Sequence, residues 1–112
     1  MKEINWNDFN KVQIVTGTIL TTKEFSEAKK PAYILKIDFG KEIGIKKSSA
    51  QITGLYTTEE LIGKQIIAVV NFPPKQIGPV MSECLVTGFV QDDNSVVLAV
   101  PDRKVKNGLK LS

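Results

Sequence analysis

The sequence predicts an all-β domain, a small barrel of five strands with one short helix. Three observations lead to this prediction. Segments with the two-residue alternation of apolar and polar side chains recur along the chain. Only one short stretch carries both the start and the stop signals of a helix. The alternating segments are separated by turns rich in Gly, Pro, Asn and Asp, which is typical of proteins made of short strands.

The first strand is predicted over residues 11–20, where β-branched side chains dominate. Val15, Gly17 and Ile19 share one face of this strand. The other face carries Val12, Ile14, Thr16, Thr18 and Leu20. A glycine inside a strand indicates a sharp bend or a bulge, which a small barrel needs where a long strand curls. A polar loop with a proline is predicted to follow over residues 24–32.

The second strand, over residues 33–40, has the cleanest alternation in the chain. Its inward side chains are predicted to be Tyr33, Leu35, Ile37 and Phe39. Residues 41–52 repeat the alternation more weakly and are predicted to form the third strand. A short helix is then predicted over residues 57–63. Thr57 and Glu60 have the spacing of a capping box, and Gly63 stands where a left-handed residue ends a helix.

The fourth and fifth strands are predicted over residues 64–72 and 83–90, followed by a turn and a hairpin partner over 95–100. This order of strands and helix favours a five-stranded Greek-key barrel of the OB type. An SH3-like barrel and an open sandwich are the competing architectures. The whole chain, residues 1–112, is predicted to be one domain, in which the basic tail offers a short additional edge strand.

The composition argues against several classes of function. There is no His, so a triad with a His base and the usual zinc sites are not available. Cys84 sits among apolar residues, as a small buried side chain does. The carboxylate pairs Glu59–Glu60 and Asp92–Asp93 have structural explanations, in the predicted helix and in a turn. We therefore expect no enzyme activity, no metal and no cofactor.

Charge and hydropathy limit the location and the partners. The chain starts without the apolar region of a signal peptide, and no apolar run is long enough to cross a membrane. The expected location is the cytoplasm. The 15 Lys and Arg residues exceed the 12 Asp and Glu residues by a net charge of +3. So small an excess does not by itself indicate a nucleic-acid binder, and only a local cluster of cations would.

Basic and small polar side chains stand at the ends of the predicted strands. They are Lys46, Lys47, Ser48, Ser49 and Gln51 at the third strand, Asn71 and Lys75 after the fourth, and Ser82 before the fifth. In an OB barrel such ends converge on one side, where lysine attracts phosphate and Ser and Gln supply short hydrogen bonds. The prolines after Asn71 stiffen their loop, which lowers the entropy lost when a ligand binds.

Two interpretations of this cluster remain open. In the first, it binds a ligand, RNA backbone or an unfolded polypeptide. In the second, the loop only needs rigid turns, and its Ser and Asn side chains cap backbone groups. Phe72, beside the prolines, is correspondingly either a core residue or a platform on which a base stacks.

Apolar residues near both termini lack an obvious place in the barrel core. They are Ile4, Trp6, Phe9, Leu109 and Leu111. We expect them to pair two copies of the chain across a two-fold axis, because pairing removes their apolar surface from water. The sequence therefore predicts a homodimer.

Four stretches together resemble a known family: VQIVTGTI, YILKIDFGKEIGIKKSSAQI, TTEELIGKQIIAVVNFPPKQIG and MSECLVTG. In order and spacing they are similar to the tRNA-binding domains at the ends of some aminoacyl-tRNA synthetases and in related cofactors. The similarity runs from about Phe9 to Gly108, and within the family it points to the small export-related chaperones of bacteria.

The resemblance implies an OB barrel with appended elements that pair two copies into a dimer. It also implies ligand contacts by Asn71, Lys75, Met81 and Ser82, which match the family pattern around the loop after the fourth strand. The tRNA-binding relatives commonly carry further cations where this sequence has Pro73, Gln76 and Gly78. Cys84 and Leu85 also replace a Gly and a Met of the family pattern. Fewer cations neutralise fewer phosphates, so the resemblance favours the chaperone branch.

Two functional hypotheses follow from the resemblance. The first is a homodimeric chaperone that binds unfolded, export-bound precursor proteins and associates with the secretion ATPase. The second is a tRNA-binding protein that acts as a trans cofactor. A third hypothesis, a structural partner of a larger complex, needs no ligand at the loop.

Overall fold

The computed structural model describes all 112 residues. The helices and strands are α1 (Trp6–Lys11), β1 (Ile14–Glu24), β2 (Tyr33–Asp38), β3 (Ile45–Ala50), α2 (Thr58–Leu61), β4 (Gln65–Val69), β5 (Lys75–Ile77), β6 (Val80–Ser82), β7 (Leu85–Val86), β8 (Gly88–Val90) and β9 (Val96–Leu98). Neither helix has the length or the apolar character needed to span a bilayer.

The central sheet has five antiparallel strands in the order β3-β2-β1-β4-β7, and it curls into a nearly closed barrel. Two separate hairpins, β5–β6 and β8–β9, extend from it. The helix α2 lies between β3 and β4 along the chain. The prediction of an OB-type barrel with a short helix at this position is confirmed.

The barrel core follows the alternation of the strands. The four side chains of β2 and its end that were predicted to point inward, Tyr33, Leu35, Ile37 and Phe39, are all buried. Val15 and Ile19 of β1 meet them from the neighbouring strand, and Ile66 and Ala68 of β4 complete this wall of the core. The alternation in the sequence therefore predicted the inner face of β2 correctly.

Gly17 lies in β1 for a different reason from the one predicted. The irregularity in the pairing of β1 with β2 falls between Ile19 and Thr21, so the bulge is not at Gly17. A Cβ at Gly17 would lie 2.6 Å from the Phe39 ring and 2.7 Å from Cγ2 of Ile37. Only glycine fits at this position, because an aromatic ring of the core packs directly on its Cα.

The helix α2 begins and ends as its sequence predicts. The Thr57 side chain accepts a hydrogen bond from the N–H of Glu60 at 3.2 Å, and the Glu60 carboxylate accepts one from the N–H of Thr57 at 2.7 Å. Gly63 has a φ of +87°, the left-handed conformation expected just after a helix. Leu61 is fully buried and fixes the helix on the barrel.

Three elements differ from the prediction. The proline loop contains a hairpin, β5–β6, and the predicted strand 83–90 is divided between β7 and β8, which belong to different sheets. The helix α1 was not predicted. Its capping box joins Asn5 and Asp8, through bonds of 2.9 Å and 3.2 Å, instead of the commoner Ser or Thr with Glu.

The tail after β9 lies against β1. The Thr16 hydroxyl donates to the carbonyl of Lys106 at 2.7 Å, and the N–H of Leu111 donates to the carbonyl of Ile14 at 2.8 Å. A single bridge pairs Val15 with Lys110, so the tail adds a short piece of edge, as predicted. This contact also brings the two ends of the chain to one side of the molecule.

The contact at Gly17 gives a test of the core. Gly17→Ala should lower the free energy of unfolding by about 1–3 kcal/mol, because the new methyl group overlaps the Phe39 ring. The measurement is urea unfolding followed by circular dichroism. Gly54→Ala is the control: its nearest neighbour would be 3.7 Å away, and the change should stay within about 0.5 kcal/mol. Equal stability of the two variants would contradict this account of Gly17.

Candidate binding site

The site is built where two loops of the barrel meet. The β1–β2 loop, residues 25–32, is anchored by Phe25, which is buried. The β5–β6 hairpin packs on this loop: a Cβ built on Gly78 would lie 3.7 Å from both the Phe25 ring and the carbonyl oxygen of Glu27. In OB barrels these two connections and the face of the second and third strands bind oligonucleotides and oligosaccharides.

Three hydrogen bonds join the end of the hairpin to β3. The N–H of Ser49 donates to Oγ of Ser82 at 3.1 Å. The N–H of Lys47 donates to the Glu83 carboxylate at 2.9 Å, and the N–H of Glu83 donates to the carbonyl of Lys47 at 2.8 Å. Lys75 is paired with Ser82 across the hairpin. The structure thus brings Lys47, Ser49, Lys75 and Ser82 to one side of the barrel.

Ser48 is not available to a ligand, which corrects the sequence-based prediction for this residue. It is 1% exposed, and its hydroxyl donates to the carbonyl of Cys84 at 3.1 Å. Lys46 lies on the same inward face of β3 and is half-buried. Ser48 therefore closes the barrel against the residue that follows the hairpin, whereas Lys47, Ser49 and Gln51 lie on the alternate face.

Cys84 is a small buried side chain, as its apolar neighbours predict. Burial raises the pKa of its thiol to about 11, although the nearby Ser48 hydroxyl lowers it. The thiolate is the reactive form of cysteine, so this thiol is a poor nucleophile at neutral pH.

Asn71 is held by contacts within the protein. Its Oδ1 accepts a hydrogen bond from the N–H of Gln13 at 2.9 Å, and its Nδ2 donates to the carbonyl of Lys11 at 2.7 Å. These bonds fix the start of the proline loop to the end of α1 and the start of β1. The capping interpretation accounts for this residue, although its side chain is exposed.

The hairpin region also exposes apolar side chains. Met81 is 44% exposed and Phe72 is 55% exposed. The core interpretation of Phe72 is therefore wrong, and its ring is accessible beside the prolines. Lys75 is exposed, and no carboxylate lies within salt-bridge distance of its ammonium group.

Lys36 is a residue of this surface that the sequence analysis did not select. It lies directly opposite Lys47 in the pairing of β2 with β3, and both side chains are exposed. Neither has a salt bridge, since the only ion pair in the chain joins Arg103 to Asp102. Like charges directly opposite each other destabilise a sheet, so this pair has an unfavourable energy that an anionic ligand would relieve. The feature that identifies Lys36 is the register of β2 with β3, which places it opposite Lys47.

A second apolar surface lies near the termini. The helix α1 has no buried residue. Ile4 and Trp6 are 72% and 79% exposed, and Leu109 and Leu111 are 53% and 46% exposed. Ile4, Trp6, Phe9 and Ser112 line one cavity of about 570 Å³, so residues from both ends of the chain share this surface.

The chain belongs to the family described as "Putative tRNA binding domain", whose profile matches residues 14–110. Among solved structures, it is similar to the chaperone CsaA from Bacillus anthracis strain Ames, with 49% identity and a TM-score of 0.93, covering 99% of this chain and 100% of that one. It is also similar to the CsaA chaperone protein from Picrophilus torridus, with 53% identity and a TM-score of 0.92, covering 98% of this chain and 100% of that one.

The family also contains parts of larger enzymes. The methionine–tRNA ligase of Pyrococcus horikoshii is 34% identical to this chain over 111 residues. That alignment covers 99% of this chain, but the chain spans only 15% of the length of the ligase. The resemblance to tRNA-binding domains and to their chaperone branch is therefore confirmed.

The opposed lysines give a test at the level of stability. Lys36→Gln or Lys47→Gln should each raise the free energy of unfolding by about 0.2–1 kcal/mol in low salt, because one substitution removes the repulsion. The second substitution, made on the first, should add little. Lys2→Gln, an exposed lysine outside the sheet, is the control. Urea unfolding at low and at high salt measures the effect, which salt should screen. Destabilisation by either single variant would contradict the interpretation.

Proposed function

We propose that this chain is the subunit of a CsaA-like homodimeric chaperone, which binds unfolded, export-bound polypeptides in the cytoplasm. The observation that supports it most is the apolar character of the surface around the hairpins. Five large apolar side chains there are at least 44% exposed: Phe72, Met81, Leu85, Phe89 and Val90. Large exposed apolar patches mark interaction sites in proteins that otherwise bury such side chains.

The charges of the proline loop support the same function. Between Asn71 and Cys84 the loop has one cation, Lys75, and one carboxylate, Glu83. The backbone of an unfolded polypeptide is uncharged, so it needs apolar contacts and hydrogen bonds more than it needs cations. The full-length similarity to two chaperones supports this ligand. The secretion ATPase is included in the proposal only because the family resemblance of the sequence implies it.

A tRNA-binding protein that acts as a trans cofactor is the second candidate. The observation in its favour is the exposed pair Lys36 and Lys47 on the outer face of β2 and β3, close to the hairpin that carries Lys75. The similarity to part of a methionine–tRNA ligase points the same way. Lysines without carboxylate partners attract phosphate at little cost, because no ion pair has to be broken.

The dimer is part of the proposal, with Ile4, Trp6, Phe9, Leu109 and Leu111 at its interface. Light scattering at micromolar concentration should give a mass twice the 12.4 kDa of one chain. Trp6→Glu should give the single-chain mass, because a carboxylate would be buried between the two copies. Leu55→Glu, at an apolar residue in a turn that is 49% exposed, is the control and should leave the dimer intact. A single-chain mass for the unchanged protein would contradict the dimer.

Titrations with two ligands separate the candidate functions. A labelled unfolded precursor protein should bind with little dependence on salt, and Lys75→Ala should change its Kd by less than about twofold, because apolar contacts dominate. A labelled tRNA should bind weakly, and its binding should fall steeply with salt.

The lysine variants provide the matched comparison. If tRNA is the ligand, Lys75→Ala should reduce the slope of log affinity against log salt by about one unit, whereas Lys75→Arg should preserve it. Tight, salt-sensitive binding of tRNA without binding of the unfolded precursor would overturn the chaperone proposal and support the cofactor.

A further inference from the structure

A groove opens in the barrel wall between the end of β3 and the strands β7 and β8. It has a volume of about 740 Å³. One wall is formed by Ser49 and Gln51, and the other by Leu85, Val86, Val90 and Val96. We call it the seam groove. It is continuous with the candidate binding site, because Ser49 belongs to both.

The wall at β3 is an open strand edge. The N–H groups of Lys47 and Ser49 donate to Glu83 and Ser82, so these two residues turn their backbones away from β2. Backbone direction alternates along an antiparallel strand, so the carbonyl of Ser49 and the N–H of Gln51 also face away from β2, into the groove. The N–H of Gln51, just beyond the end of β3, has no hydrogen-bond partner within the protein.

The opposite wall supplies apolar contacts. The N–H of Thr87 donates to the carbonyl of Ile67 at 3.0 Å, which directs the backbone of this segment towards β4. Leu85 and Val90 are 50% and 71% exposed, and Val86 and Val96 are half-buried. A side chain entering the groove would therefore meet aliphatic surface on this side.

The lining of the groove carries a single positive charge and no negative charge. Lys30, on the β1–β2 loop, is the only charged residue that lines it, and it has no carboxylate partner. No aromatic side chain lines the groove. Bases of a single-stranded nucleic acid bind by stacking on aromatic rings and by a groove of several cations, so this groove is poorly suited to them.

We propose that the seam groove binds an extended segment of polypeptide as an added strand on the edge of β3 at Ser49 and Gln51. Aliphatic side chains of the segment pack on Leu85, Val86, Val90 and Val96, and an acidic side chain at one end of the segment pairs with Lys30. Strand addition gives affinity through the backbone, so many sequences can bind, while the aliphatic wall selects one alternating face. This inference rests on the proposed chaperone function and names where and how its ligand binds.

The probe is a short labelled peptide in which valine alternates with serine and which ends in glutamate. One version carries N-methyl groups on the valines, and a second carries them on the serines. These positions direct their N–H groups to opposite edges of the peptide strand. Fluorescence anisotropy should show that one version loses at least about tenfold in affinity while the other stays within about twofold. Equal affinity of both versions, or equal loss in both, would overturn strand addition.

Variants of the protein test the same edge. Gln51→Pro removes the unpaired N–H without removing a hydrogen bond of the fold, and it should weaken binding of the unmethylated peptide by about fivefold or more. Gln51→Ala keeps the N–H and removes only the side chain, so Gln51→Pro should weaken binding by at least about threefold more than Gln51→Ala does. Circular dichroism verifies that both variants fold. If both bind the peptide as the unchanged protein does, the edge of β3 is not the site.

The charge of Lys30 provides an independent readout. Lys30→Glu should reverse the preference, so that a peptide ending in lysine binds better than the one ending in glutamate. An unchanged preference would place the peptide elsewhere. Competition by a single-stranded RNA, or binding that changes with protein concentration because a second copy occupies the groove, would also overturn the proposal.

Failure of this inference is distinguishable from failure of the proposed function. Suppose that Gln51→Pro and Gln51→Ala bind an unfolded precursor protein equally well, but that binding of the short peptide does not depend on the edge of β3. The proposed chaperone function is then supported, and the assignment of the ligand to the groove is wrong. If neither they nor the unchanged protein binds the unfolded precursor, the proposed function itself fails.

Discussion

The closure of the barrel at β3 is the constraint on which the rest of the structure depends. The Ser48 hydroxyl donates to the carbonyl of Cys84. The N–H of Lys47 donates to the Glu83 carboxylate, and the N–H of Glu83 donates to the carbonyl of Lys47. These contacts span more than thirty positions of sequence, and they hold the end of the β5–β6 hairpin against the edge of the sheet. Without them the end of the hairpin would lose its direct hydrogen bonds to the strand that carries Lys47.

The same closure is incomplete, and that produces two different surfaces side by side. Segment 82–84 covers the edge of β3 at Lys47 and Ser49, where cations gather. Beyond Ser49 the edge is open and the facing wall is aliphatic. The protein thus has a cationic face and an apolar groove that share Ser49. These two surfaces are consistent with a similarity both to tRNA-binding domains and to chaperones.

Local signals explain why much of the fold was predictable. The alternation in β2 identified its buried side chains, and the capping box of Thr57 and Glu60 located α2, because both depend only on residues a few positions apart. The hairpin β5–β6 was missed because its prolines resemble those of an irregular loop. The division of the segment 83–90 was missed because its apolar run looks continuous, whereas β7 and β8 pair with different strands.

The candidate site was less predictable, since it depends on pairing between distant segments. Lys36 and Lys47 become neighbours only through the register of β2 with β3. Ser48 and Ser49 look alike in the sequence, but one is buried and the other lies on the outer face. Asn71 matched the family pattern at the ligand loop, yet its amide bonds to Lys11 and Gln13. None of these contacts has a signal within a single strand.

Cys84 is the single cysteine of the chain and is buried, which has a practical consequence for labelling the protein. The chain contains one sulfhydryl group, and that group is enclosed and remains protonated at neutral pH. A cysteine introduced at an exposed position would therefore react with a fluorophore or spin label far faster than the native one does. Distances between two such labels can then be measured in a protein that otherwise keeps its natural sequence.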